Sequence, residues 1–141
     1  MRTPAIVGSV PPQLAQRVSL TTHDFFEPQP IFAKAYFFRH IFHAFVDKQA
    51  VEILRALIPA LRPGARIIIN DLVMPAPGTL PRREEKDLRM MDVLMQTVCN
   101  ARERAVEDWK VLFEKADTRF KWRGAWKTSG KLWFMEAVWE D

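Results

Sequence analysis

Two short, largely apolar runs, Ala35 to Phe42 and Ala65 to Asn70, bracket an amphipathic stretch with room for one helix. This arrangement constrains the fold more than any other feature of the chain. A strand with one wet face alternates apolar and polar residues, whereas a near-continuous apolar run suits a parallel strand covered on both faces. Between the runs, Asp47 is placed to cap a helix. Val51, Leu54, Leu57, Ile58 and Leu61 share one face of that helix, and Lys48, Glu52 and Arg55 lie off it. Pro59 and the Arg62-Pro63-Gly64 turn end it. Strand, helix, strand in this order reads as a parallel crossover unit.

The remaining segments extend the pattern. Arg17 to Thr22 reads as a further strand, β-branched and stopped by His23-Asp24. Pro28 and Pro30 then deny a helix. A second helix starts near Arg82, with Leu88, Met91, Met95 and Val98 as its inward positions. A third starts near Ala105, with Trp109, Leu112, Phe113 and Ala116 inward. Arg119 to Trp126 and Leu132 to Trp139 form a hairpin around Lys127 to Gly130. The sum is an α/β chain with a mostly parallel sheet, closed by an antiparallel hairpin.

Composition excludes several classes. With 141 residues, 48% hydrophobic and 27% charged, the chain has the make-up of one globular domain and not of a disordered one. Its longest uncharged apolar run falls short of the ~18 residues of a membrane span. Met1 to Val10 carries no signal-like apolar stretch, so the default expectation is a cytoplasmic protein without membrane contact. The net charge of +4 comes from a mixed-sign surface. The basic and aromatic residues of Arg119 to Lys127 alternate as in a half-buried strand, so no nucleic-acid partner is expected. Cys99 is the only cysteine, which excludes an intramolecular disulfide and a multi-cysteine metal site.

Ligands of open α/β sheets sit beyond the carboxyl ends of the strands. Asp24, the His40 to His43 stretch and Asp71 stand at such ends. Asp24 reads equally well as a turn residue or a ligand. His43 at a strand end reads first as a structural residue; the other reading is a general base near neutral pH, a role open to a histidine held by a carboxylate, and Asp47, Asp71 and Glu103 are the carboxylates on offer. His40 and His43, three apart on a strand, point to opposite faces, so no metal site is expected there. Glu103 lies within Arg102-Glu103-Arg104, a charged run of the kind that is usually a solvated face.

Five stretches carry a resemblance. They are Arg17-Val-Ser-Leu-Thr-Thr-His-Asp-Phe-Phe26, Tyr36-Phe-Phe-Arg-His-Ile-Phe-His43 and Ile53 to Asp71, then Arg102-Glu-Arg104 leading into Glu107-Asp-Trp109, and the terminal Glu136-Ala-Val-Trp139. Together, from about Pro11 onward, they resemble the C-terminal part of the catalytic domain of class I S-adenosylmethionine-dependent O-methyltransferases, in the caffeate-type and fungal secondary-metabolite branch. The resemblance implies a partial Rossmann-like methyltransferase fold that lacks the first two strands. Residues 1–16 are then an irregular lead-in and 17–141 the catalytic-domain part. It implies that His43 is the base that deprotonates a substrate hydroxyl, flanked by Asp71 and Glu103. Asp24 and Phe25 match the family's adenine-contacting pair, and Arg39 a cofactor-contacting basic residue. Met91 and Met95 lie on a helix resembling the one that lines the acceptor pocket. The implied cofactor is S-adenosylmethionine and the implied substrate a phenolic or polyketide hydroxyl.

The chain departs from the family pattern at three places. His43-Ala44-Phe45 stands where members usually carry His-Asp-Trp. Ala105 replaces the Thr that caps the following helix, at an expected cost of about 1 kcal/mol, while the Asp108 of a capping box remains. Gly8, Gly64, Gly78, Gly124 and Gly130 are too scattered to form the glycine-rich turn that lets a backbone approach the cofactor closely. The resemblance thus places the start of the chain after that motif. Two consequences are expected. The 17–22 strand either lacks its partner or slides in beside the 35–42 strand. The 35–42 strand exposes an apolar edge open to a second copy or to a second methyltransferase chain. The alternative reading of function is a truncated, inactive remnant.

Overall fold

A computed structural model describes residues 10–127 and 130–141. Four strands form one sheet: β1 (Ala35–Arg39), β2 (Arg66–Asp71), β3 (Phe120–Lys127) and β4 (Trp133–Trp139). Three helices accompany them: α1 (Asp47–Leu57), α2 (Arg82–Cys99) and α3 (Val106–Ala116). The spatial order is β1-β2-β4-β3. β1 and β2 run parallel, with Tyr36 opposite Ile67 and Phe38 opposite Ile69. β4 enters antiparallel between β2 and β3. The α/β class and the closing hairpin are as the sequence implies, but one pairing in three is parallel, so the sheet is mixed and not mostly parallel. The tip residues 128 and 129 of the expected hairpin turn lie outside the described residues.

The core lies on one face of the sheet. Ile67 and Ile69 of β2 and Met135 and Ala137 of β4 meet Ile53 and Leu54 of α1 and Trp109, Leu112 and Phe113 of α3, all essentially sealed from solvent. Side chains of this size contribute roughly 1.5–3 kcal/mol each when fully buried. The inward residues expected for α3 are all buried. β1 is anchored to this core by Tyr36, whose hydroxyl accepts the Ala33 amide (3.1 Å) and is shared between the carbonyls of Ile31 (2.9 Å) and Ala60 (3.0 Å).

Several expectations need correcting. β1 is not buried on both faces: Phe37 is 57% exposed, because no helix among the described residues covers that side. No strand forms at 17–22, and every residue from 11 to 22 is exposed. The segment does not slide in beside β1, which is the edge of the sheet formed by the described residues. α2 buries none of its residues: Leu88, Met91 and Met95 are half-covered, and Val98, expected inward, is among the most exposed apolar side chains. The N-cap position of α1 is Val46, and Asp47 is the first helical residue without a capping bond. Its carboxylate is taken instead by Arg104 at 2.9 Å and Arg102 at 3.4 Å.

Candidate active site

The site grows from the carboxyl end of β1. The strand stops at Arg39, and His40 takes a left-handed backbone conformation (φ 52°) that few non-glycine residues adopt. Its amide still bonds the Asn70 carbonyl of β2 at 3.2 Å. The chain then tightens into a single 3₁₀ turn over Phe42–Ala44, with Phe42 fully buried beneath it. Arg104, itself fully buried, holds this turn from both ends, donating to the carbonyl of Phe42 (2.8 Å) and that of Phe45 (2.7 Å). His43 projects from the middle of the clamped turn.

Two carboxylates meet His43. Glu103 Oε1 lies 3.1 Å from His43 Nδ1, with the Glu103 side chain 1% exposed. The Glu103 amide in turn donates to Asp92 Oδ1 of α2 at 2.8 Å. The second carboxylate, Asp71 at the end of β2, is completely buried, and neither of its oxygens has a hydrogen-bond partner. His40 Nδ1 approaches one of them to 3.8 Å.

The electrostatics follow from this packing. The Glu103 hydrogen bond raises the His43 pKa above its ordinary value, against the opposing effect of burial and with further support from the Asp71 charge. Burial pushes Asp71 up to about 6; the His43 charge opposes the rise, as do the nearby amides of His43 and Phe42, which stop short of hydrogen-bond geometry. Burial, then the neighbouring His43 charge, lower the His40 pKa. A carboxylate bonded to one ring nitrogen fixes the tautomer and leaves the other as a lone-pair acceptor. The arrangement therefore presents an oriented, largely covered imidazole beside two buried carboxylates at the sheet end.

Thus His43, Asp71 and Glu103, far apart in sequence, converge. The solvated-face reading of the Arg102–Arg104 run fails for Glu103 and Arg104, which are buried, and holds for Arg102. The opposite-faces argument for His40 and His43 also fails. The left-handed residue and the 3₁₀ turn replace strand geometry, and the two rings stand with centroids 5.4 Å apart. The other anticipated residues lie outside this cluster. Asp24 is exposed, and its carboxylate accepts the Phe26 amide at 3.1 Å, a turn role. Phe25 packs edge-on against Phe45, with centroids 5.5 Å apart. Arg39 is exposed at the β1 end. An open hollow of about 660 Å³ runs along α2; it is lined by Met91 but not Met95, and His43 takes no part in it. Sequence reasoning missed Arg104 as the clamp of the base-bearing turn and Asp92 as the partner of the Glu103 backbone.

A family model for the O-methyltransferase domain matches residues 4–119. The chain belongs to this O-methyltransferase family. It is similar to O-methyltransferase pyvH of Aspergillus violaceofuscus, 49% identical over 126 residues that make up 89% of this chain and 30% of that protein. It is also similar to chlorophenol O-methyltransferase of Trichoderma longibrachiatum, 46% identical over 130 residues, 91% of this chain and 28% of the other. Among solved structures, that of LepI in complex with SAM superposes with a TM-score of 0.72 at 30% identity, covering 84% of this chain and 29% of LepI. The chain therefore spans under a third of the length of these relatives. As an O-methyltransferase-family chain it carries the sheet end with the histidine and its two carboxylates. No helix among its described residues is long and apolar enough to cross a membrane.

Proposed function

We propose that this chain is the acceptor-activating part of an S-adenosylmethionine-dependent O-methyltransferase acting on a phenolic or polyketide hydroxyl of a secondary metabolite, with His43 as the general base. The observation that carries the reading is the 3.1 Å pairing of His43 Nδ1 with buried Glu103 beside the buried, unpartnered Asp71.

S-adenosylmethionine, where bound, supplies a methyl group on a sulfonium. The residues proposed for it here, Asp24, Phe25 and Arg39, do not by themselves form a cradle, since the Asp24 carboxylate is engaged in its own turn. The chain's own chemistry is the proton step. An acceptor O–H donates to the free nitrogen of His43 and its proton moves there. The oxygen electron pair so released would take up the methyl group that a bound S-adenosylmethionine would supply, with the sulfur keeping the electron pair of its former bond. The imidazolium is stabilised by Glu103 and Asp71, then loses its proton to solvent. Positioned acid–base groups of this kind contribute roughly 10²–10⁴-fold in rate. Met91 and Met95 of α2 are proposed to line the acceptor's path.

Transfer of a labelled methyl group to a phenol tests the reading, and a chlorophenol is a suitable probe given the name of the Trichoderma relative. Loss of transfer in His43→Gln supports it; unchanged transfer refutes it. A second reading, a subunit that completes its cofactor site with another chain, is favoured by the open β1 edge and the 57% exposed Phe37 upon it. Co-purification of a glycine-rich methyltransferase chain tests that reading.

A further inference from the structure

We propose that His40, His43 and Asp71 form a binding site for a divalent transition-metal ion, zinc in the first instance, which excludes the methyl acceptor from His43. One donor atom from each residue lies within 4.8 Å of the others. Two imidazoles and one carboxylate are a donor set that suits zinc and its neighbours and disfavours magnesium, which demands oxygen. Tetrahedral zinc with N and O donors at about 2.0–2.2 Å holds them about 3.4 Å apart. His40 Nδ1 and Asp71 Oδ1 are already 3.8 Å apart, and the His40 side chain, 48% exposed, has room to turn inward.

Three further features make this a built site rather than a chance cluster. Both oxygens of Asp71 are sealed from solvent without a partner, which leaves a buried carboxylate with its full acceptor capacity unused. Glu103 binds Nδ1 of His43, the carboxylate–histidine arrangement that orients a ligating imidazole and leaves Nε2 for the ion. The left-handed backbone of His40 brings its ring to the same side as that of His43. A bound zinc uses the same ring lone pair that takes the acceptor's proton, so ion and acceptor compete. That competition rests on the methyl-transfer reading; ion binding does not.

The test is calorimetric titration of zinc chloride into the 141-residue chain, with magnesium chloride as the contrast. Wild type is expected to bind one zinc saturably and magnesium not at all. His40→Asn retains the left-handed backbone, which Asn tolerates, and lies at the surface. It is expected to weaken zinc binding by at least about tenfold, the cost of losing even an outer-shell partner, with Glu103→Gln costing about tenfold. Asp71→Asn should follow His40→Asn, and the double variant His23→Asn, Cys99→Ser should bind as wild type. Zinc binding that survives in both His40→Asn and Asp71→Asn, or that vanishes with His23 and Cys99, overturns the proposal. So does a wild-type chain that takes no zinc. None of these results depends on methyl transfer, so failure here and failure of the enzymatic reading are separately visible.

Discussion

Arg104 donates to the carbonyl of Phe42 at 2.8 Å, so a residue after the second helix fixes the turn that presents His43. The same guanidinium reaches Phe45 and Asp47 and lies 5.2 Å from the Trp109 ring centroid. Within the 3₁₀ turn the Phe42 carbonyl accepts the Phe45 amide at 3.1 Å; Arg104 adds a second donor to it and holds the Phe45 carbonyl on the other side of the histidine.

Arg104→Met should therefore be among the costliest single changes. It removes a donor from the carbonyls of Phe42 and Phe45 and one partner of the half-exposed Asp47, for an expected loss of about 1–3 kcal/mol. Urea denaturation checks this. A midpoint within error of wild type would show that the clamp is idle.

Asp71 makes stability depend on pH in a defined sense. Its folded pKa, about 6, lies above the ordinary 3.8, so the folded chain holds a proton that the unfolded chain releases. Stability from this group is complete below about pH 4 and is lost as pH rises through 6. His43, also raised, acts in the same direction: its contribution is present below 6.5 and lost as pH climbs past its folded value. Asp71→Asn should flatten the profile and gain up to about 3 kcal/mol at pH 7. Melts of both chains from pH 4 to 8 in chelator check it, since other carboxylates are common to the two. A parallel pair of profiles would contradict the assignment.

The start of α3 has a vacancy that a hydroxyl fills. Ala105 sits at the N-cap with extended backbone (ψ 168°), and Asp108 already bonds its amide at 3.0 Å. Ala105→Thr completes the box and should stabilise the chain by about 1 kcal/mol, read as a higher melting temperature.

The β1 edge should govern self-association. Phe37 is 57% exposed, at the rim of a face shared with Phe134 and Trp126. Phe37→Lys places a charge on an edge strand, a common device against edge pairing. Sedimentation should show less oligomer for this variant than for wild type at equal concentration.

These contacts explain which parts of the molecule were legible in its sequence. α1, α3 and β2 declare themselves because Leu54, Leu57, Trp109, Phe113 and Ile67 recur at the period of their element and are buried in it. Arg17 to Thr22 has the composition of a strand but pairs with no neighbour among the described residues, and β propensity without a partner forms nothing. α2 carries apolar residues around much of its girth, so its pattern could not say which side is covered. Of the candidate site, His43, Asp71 and Glu103 were singled out through family resemblance and strand-end logic, and the fold brings them together. The pairing of His40 with His43 was hidden because a left-handed residue cannot be read from a histidine codon. Arg104 was hidden because a charged run does not show that the carbonyls it serves lie some sixty residues away.

The central claim is that His43, held by Glu103, removes the acceptor's proton in methyl transfer. The most direct measurement replaces the matching segment of the Trichoderma chlorophenol O-methyltransferase with this chain and follows labelled methyl transfer to a chlorophenol. The account predicts an active chimera whose kcat falls at least about 100-fold in His43→Gln, with the KM for S-adenosylmethionine unchanged and a smaller loss in Glu103→Gln. A chimera that methylates equally well with Gln at position 43 would contradict it.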